Sequence, residues 1–297
     1  MSDFRERVKR RRLTPRRMSD ITAGAAVDLP HLRSLLFAPG SDGRKLAKAL
    51  SSPADAVVCD LEDAVAPGDK EAARDVTAQA FAEAAPGPAR LVRINAAGTP
   101  WFEDDLAFAA GLSLDGLVLP KSSPESVELL GSAGPPVIAI VETAKGLRQA
   151  FEIASEPRVA ALILGAVDLG AEIGLEPRPD GQEILYARSQ IAIDSAAAGI
   201  RGPFDVVHLD LYDDEGLEVQ CRFARSLGFR GKACIHPAHV DTINRVFSPS
   251  EQEIAWARGV VDAFEGQSEG VLSVNGTMVD KPVVERARRI LEEAEAR

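Results

Sequence analysis

The sequence predicts an α/β protein, a (β/α)8 TIM barrel with a C-terminal helical extension, and three observations predict it. Eight short, β-branched-rich apolar runs recur along the chain, each followed by a polar turn and, for the first seven, an Ala-rich or charged helical pattern. The runs are apolar throughout instead of alternating, as strands covered on both faces are. The 297 residues, 45% of them apolar, suffice for one barrel of roughly 250 residues with a tail left over. A doubly wound open sheet uses the same units, but eight evenly spaced ones favour closure.

In order, the runs are "RSLLFA" (33–38), "DAVVCDLE" (55–62), "ARLVRIN" (89–95), "LDGLVLPK" (114–121), "PVIAIVE" (136–142), "VAALILGA" (159–166), "FDVVHLD" (204–210) and "GKACIHP" (231–237). The helical patterns between them are "DGRKLAKAL", "KEAARDVTAQAFAEA", "WFEDDLAFAAG", "PESVELLG", "AKGLRQAFEIA", "ILYARSQIAIDSAAAG" and "DEGLEVQCRFARSLG". Beyond Pro237 the rhythm changes. "SPSEQEIAWARGVVDAFE" (248–265) reads as a helix with a Ser cap and Glu253 three residues after Ser250. "GVLSVNGTMVDKP" reads as a short hairpin-like loop, and "PVVERARRILEEAEA" as a last helix with Pro282 in its first turn. The expected organisation is a basic, disordered tail over 1–28, a catalytic barrel over 29–245, and a helical extension or lid over 246–297. The extension is too short to be a separate core and is expected to pack on the barrel or on a neighbouring subunit.

Composition narrows the function. Lys and Arg number 34 against 45 Asp and Glu, a net charge of −11, which argues against a nucleic-acid partner; anionic ligands must be met by local cations. No apolar run reaches the roughly 18 to 20 residues of a membrane span, so no membrane partner is expected. Cys59, Cys221 and Cys234 form no C-x-x-C pair, and their odd number fits a reducing, cytoplasmic setting. The first 17 positions carry eight basic residues against two acids; this tail is read as solvated and is given no function.

Chemistry in a barrel sits where strands end and loops begin. The polar residues there are Glu62 and Asp63, Arg93 and Asn95, Lys121, Glu142, Asp168, Asp210 and His236, with Pro39 and Gly40 in the first loop. Glu142 and Asp168 end the fifth and sixth runs, so two neighbouring carboxylates face one opening. They repel unless a cation sits between them, and without Cys or His the donors suit a hard ion such as Mg2+, completed by waters and a chelating substrate. The other reading is that each caps a following helix or pairs with a nearby cation.

Arg93 lies in an otherwise apolar strand. Its planar fork suits a substrate carboxylate, and the competing reading is an internal ion pair with Glu62 or Asp63. Glu62 and Asp63 either fix metal-bound waters or cap the next loop. His236 reads as a packed strand-end histidine, and Lys121 either steers anions or reaches out to solvent. The first loop, "APGSDGRKLAKA", lacks the P-loop consensus, but its helix N-terminus with Arg44, Lys45 and Lys48 suits a phosphate-rich cofactor arm.

Taken together, "RSLLFAPG", "DLEDAV", "LVRIN", "LPK", "IVET", "GAVDL", "YARSQIAIDSAAAG" and "LGFRGKACIHP" resemble the HpcH/HpaI aldolase and citrate lyase β-subunit family, in particular its CitE-like, malyl-CoA lyase-like branch, over about residues 31–284. That resemblance implies a barrel enzyme that uses Mg2+ to make or break a carbon–carbon bond beside an acyl-CoA thioester. It implies Glu142 and Asp168 as metal ligands, Arg93 as the substrate-carboxylate arginine, Glu62 and Asp63 as the acidic pair, and Arg44 and Lys48 as CoA contacts. The segment "NGTMVDKP" resembles one lent to an adjacent subunit, which makes Asp280 the implied acid or base and a homotrimer or homohexamer the expected assembly. The expected reaction joins or separates an acyl-CoA and a 2-keto acid such as glyoxylate, pyruvate or oxaloacetate. Thioester hydrolysis, a malate synthase-like reaction and service as a citrate lyase β subunit are the alternatives.

Overall fold

A computed structural model describes residues 29, 31–178, 180–265, 272–274 and 277–296. The expected tail at 1–28 lies outside the described residues. Eight parallel strands close into a barrel in chain order: β1 (Ser34–Pro39), β2 (Ala56–Asp60), β3 (Ala89–Arg93), β4 (Gly116–Leu119), β5 (Val137–Val141), β6 (Val159–Leu164), β7 (Phe204–Asp205) and β8 (Gly231–Cys234). β8 pairs back onto β1, so the barrel has no free edge. Seven predicted runs contain their strands and the first is exceeded by one residue, Pro39; the (β/α)8 expectation holds.

Around it lie α1 (Gly43–Leu50), α2 (Lys70–Glu83), α3 (Phe102–Ala110), α4 (Pro124–Glu128), α5 (Ala144–Arg148), α6 (Ala150–Ala154), α7 (Ala166–Ile173), α8 (Leu185–Ala197), α9 (Asp214–Ser226) and α10 (His239–Val246). Strand alternation sorts side chains into two cores. Leu35, Ala56, Val58, Leu91, Val118, Ile138, Ile140, Ile163 and Phe204 fill the barrel interior. Leu36, Val57, Cys59, Val92, Leu117, Leu119, Ala139 and Val141 pack outward against the helices.

The structure departs from the sequence reading at four places. The sixth run stops at Leu164, and Gly165 starts α7, so Asp168 sits in the first turn of a helix and not at a strand end. β7 is two residues long and meets β6 through one pair, Ile163 with Phe204, which leaves Asp210 in an exposed loop. The fifth helical pattern is two short helices, broken at Gln149, whose φ of −114° is outside the helical range. α10, which completes the helix layer, follows His236 in a stretch to which no helix was assigned.

After the barrel come α11 (Glu251–Glu265), an antiparallel pair β9 (Leu272–Val274) and β10 (Thr277–Val279), and α12 (Lys281–Glu295). The Ser cap is present: Ser250 Oγ accepts the Glu253 N–H at 3.2 Å, and Glu253 Oε2 accepts the Ser250 N–H at 2.8 Å. Ala257, Val260, Val279, Val284, Ala287 and Ile290 form a small core of their own between the two helices. Ion pairs Arg225–Glu253 and Arg230–Glu293 tie it to the barrel.

Candidate active site

The inward phase of three strands ends in charge. Ala56 and Val58 lead to Asp60, Leu91 to Arg93, and Ile138 and Ile140 to Glu142, so alternation alone carries these three side chains to the opening of the barrel. The β2–β3 register then sets Asp60 beside Arg93. Arg93 Nε donates to Asp60 Oδ1 at 2.7 Å, and Nη2 donates to Oδ2 of the same carboxylate. Asp60 also accepts the N–H groups of Glu62 at 2.8 Å and Ala64 at 3.1 Å, which folds the "DLEDAV" turn around it. The Arg93 guanidinium stacks over Phe37, 5.3 Å from the ring centroid.

Arg93 is thus an internal ion-pair partner, chiefly of Asp60. Its remaining terminal nitrogen, Nη1, lies 2.9 Å from Glu62 Oε2 and 3.7 Å from Asp63 Oδ2. The contact with Glu62 Oε2 is not aligned as a hydrogen bond, and that buried oxygen has no hydrogen-bond partner among the described residues. Burial opposes the Arg93 charge, but hydrogen bonding to Asp60 and the nearby acids outweigh it and hold its pKa above the usual arginine value.

Glu142 is 4% exposed and follows directly on β5. It does not cap the next helix: Thr143 does so, its Oγ1 accepting the Gly146 N–H at 2.9 Å. Instead, Glu142 Oε1 accepts the main-chain N–H of Lys121 at 2.7 Å. Its other oxygen lies over Gly165, where an added Cβ would overlap Glu142 Cβ and come within 2.8 Å of Oε2. Burial first, and then the charges of Glu62 and Asp168, push the Glu142 carboxyl up to about 7 despite the Lys121 hydrogen bond.

Asp168 is half-buried in α7 and close enough for its charge to raise Glu142. The helix is anchored beside Glu142 because Glu172 Oε2, one turn after Asp168, accepts the Ala144 N–H at 2.9 Å. Glu62 is also buried; burial pushes its carboxyl up, while Arg93 and a 2.6 Å hydrogen bond from Lys121 Nζ pull it down less strongly. Asp63 is exposed. Behind the turn, buried Lys70 reaches from α2 to donate to the carbonyls of Leu61 and Glu62 at 2.7 and 2.6 Å and to Asn95 Oδ1 at 2.7 Å.

Glu62, Asp63, Arg93, Glu142 and Asp168 therefore gather at one opening, joined by Asp60 and Lys121. Arg44 and Lys48 lie exposed on α1, where neither makes an ion pair among the described residues. The α1 N-terminus is partly satisfied by its own cap, Asp42, whose carboxylate accepts the Lys45 N–H at 3.1 Å. Asp280 caps α12 by accepting the Val283 N–H at 3.2 Å, and no hydrogen bond or ion pair among the described residues joins it to the opening. His236 packs edge to face with His239, 6.0 Å between centroids, away from the carboxylates' hydrogen bonds.

The donor set fits Mg2+. A buried carboxylate with one committed oxygen, a second carboxylate alongside and a net excess of acid call for a hard cation, with water and substrate oxygens filling the remaining positions. The donors gathered here are carboxylate oxygens with no thiolate or imidazole among them, the ligand chemistry of a hard ion and not of a structural Zn2+ site.

Three residues escaped the sequence reading. Asp60 carries no role in the sequence reading, because only the strand register shows that it faces Arg93. Lys70 lies ten residues downstream in a helix and carries no local signal. Gly165 looked like the interior of a strand run, although a glycine there is an interpretable break.

Comparison with known proteins places these features in context. The HpcH/HpaI aldolase/citrate lyase family profile matches residues 33–237. The chain is 40% identical over 276 residues to a citrate lyase subunit beta-like protein of Deinococcus radiodurans, covering 88% of this chain and 96% of that one. It is 38% identical over 271 residues to a (3S)-malyl-CoA thioesterase of Cereibacter sphaeroides, covering 89% and 95%. Among solved structures, CitE from Mycobacterium tuberculosis in complex with magnesium, acetoacetate and coenzyme A superposes with a TM-score of 0.77 at 37% identity, covering 89% of this chain and 98% of that one.

Proposed function

We propose, since this chain belongs to the HpcH/HpaI aldolase/citrate lyase family, that it is a Mg2+-dependent carbon–carbon lyase. It cleaves or forms a 3-hydroxyacyl-CoA such as malyl-CoA, methylmalyl-CoA or citramalyl-CoA, exchanging it with a 2-keto acid and an acyl-CoA. The observation that carries this reading is Glu142: a buried carboxylate pushed up to about 7, beside Asp168, with one oxygen fixed and no soft ligand near. When bound, Mg2+ supplies Lewis acidity toward the oxygen of the bond-forming carbon.

The chain's own residues do the rest. Glu142 and Asp168 hold the ion. Arg93, pinned through two nitrogens by Asp60, keeps Nη1 to grip the carboxylate of the 2-keto acid. Glu62 and Asp63 orient water at the ion. Exposed Arg44 and Lys48 suit the phosphates of CoA. Asp280, contributed by a neighbouring copy in a homotrimer or homohexamer, moves the proton at the carbon next to the thioester. This assignment gives the C-terminal extension its role as a lid on the next subunit. The three cysteines, all buried and unpaired, fit a reducing cytoplasm.

The likeness to a malyl-CoA thioesterase supports a second reading, in which water at the same site attacks the thioester; service as a citrate lyase β subunit or a malate synthase-like reaction are further variants. Incubation with Mg2+ and malyl-, methylmalyl- and citramalyl-CoA separates them. The lyase releases a keto acid with the acyl-CoA intact, whereas free thiol without keto acid shows hydrolysis. Asp168→Ala should abolish Mg2+-dependent turnover in a folded barrel, and full activity in that variant would sink the metal assignment. Asp280→Asn keeps a side-chain oxygen for the α12 cap but removes the acid, so turnover should collapse while Mg2+ binding and melting temperature persist. Undiminished turnover would reduce Asp280 to a cap.

A further inference from the structure

We propose that Lys121 is the positioning residue of the acidic opening. Its main chain commits one oxygen of Glu142, and its ammonium holds Glu62 off the ion. This rests on the Mg2+ reading above and deepens it.

Three observations on different parts of the residue converge. Lys121 has φ +47°, the only non-glycine residue with positive φ among the described residues, in a region that lysine enters only against a steric penalty. Leu117 and Leu119 face the helix layer, so continued extension would carry position 121 outward as well. The left-handed turn breaks that alternation and brings the residue back over the barrel opening. There, its N–H donates to Glu142 Oε1 at 2.7 Å and its Nζ to Glu62 Oε1 at 2.6 Å.

The consequence is a division of labour between two buried carboxylates. Glu142 is left with Oε2 for a ligand and is therefore set up as a one-oxygen donor. Glu62 is tied by one oxygen to the ammonium, with the other beside Arg93 Nη1. Arg93 is held chiefly by Asp60 and meets Glu62 only through the unaligned Nη1 contact, so Lys121 is the cation that hydrogen-bonds Glu62 and, together with Arg93, offsets its charge beside Glu142 and Asp168. Removing it should have effects of opposite sign. The opening becomes more negative, which favours Mg2+, while Glu62 is released toward the ion and spoils the arrangement that turns substrate over.

The test uses the full chain. Mg2+ binding without substrate is measured by titration calorimetry, melting temperature in chelator, and kcat and KM on the best ester of the panel. Lys121→Met should bind Mg2+ about tenfold tighter, the size expected for losing one nearby positive charge, with kcat at least about tenfold lower and KM little changed. Lys121→Gly, which keeps the left-handed turn at no steric cost, should show the same tighter binding, and Lys121→Arg should restore wild-type Mg2+ affinity and part of kcat.

Wild-type Mg2+ affinity and kcat in Lys121→Met overturn the proposal. So does a joint fall in Mg2+ affinity, kcat and melting temperature in both the Met and Gly variants, which marks a support of the fold only. Glu142→Gln and Asp168→Asn run alongside. If they lose Mg2+ while Lys121→Met is unchanged, only the role of Lys121 fails; if they bind Mg2+ as wild type does, the Mg2+ reading itself fails.

Discussion

The barrel buries charge in two regions that are solved in opposite ways. Between β7, β8 and the helices α8 and α9, Asp205 is fully buried and meets two cations, Arg188 Nε at 2.9 Å and Lys232 Nζ at 2.7 Å. Burial alone pushes the Asp205 carboxyl up, but Lys232 and Arg188 together bring it below its ordinary value. At the opening, Asp60, Glu62, Asp63, Glu142 and Asp168 share Arg93 and Lys121, and Asp60 takes most of the arginine. There, Glu142 stays raised to about 7. A cluster that satisfies itself is architecture; one left with excess acid is waiting for a ligand.

The largest effect should come from breaking the satisfied cluster. Asp205→Ala strands two buried cations and should cost about 3–5 kcal/mol, read as a shift of the urea midpoint. A loss under about 1 kcal/mol would mean that water enters the site and that the contrast is overstated.

The unsatisfied cluster should respond with the other sign. Because the folded pKa of Glu142 is raised from 4.5 to about 7, the folded state holds a proton that the unfolded chain has lost across that window. Its contribution to stability therefore falls as pH rises from about 4.5 to 7. Glu142→Gln should stabilise the Mg2+-free protein at pH 8 by up to about 3 kcal/mol, and its melting temperature should not rise with Mg2+, whereas that of the wild type should. A variant no more stable than wild type in chelator at pH 8 would remove the claim of excess acid.

The smallest effect sharpens the geometry. Gly165→Ala would push a methyl group against Glu142, at a cost of about 1–2 kcal/mol as overpacking, and should weaken Mg2+ binding measured by calorimetry. Unchanged Mg2+ affinity would show that Glu142 can hold the ion from another rotamer.

How much of this was legible in the sequence follows from what each feature depends on. The strands were, because burial on both faces writes itself as a continuous apolar run. Glu142 and Arg93 were, since a charge interrupting such a run is locally visible. The Asp60–Arg93 pair was not, because register is fixed by neighbouring strands and not by either one. Asp168 was found but misplaced: the glycine that ends β6 is demanded by the Glu142 side chain lying across it, a contact between residues 23 positions apart in the chain. The left-handed turn at Lys121 was equally hidden, since a lysine carries none of the sequence signs of positive φ.

The paired helices α11 and α12 enclose a core of their own, and the family match stops at residue 237, before either begins. A chain built this way can be inherited in two pieces. The barrel can keep its packing while the terminal pair of helices changes, so substitutions within that second core need not disturb the opening.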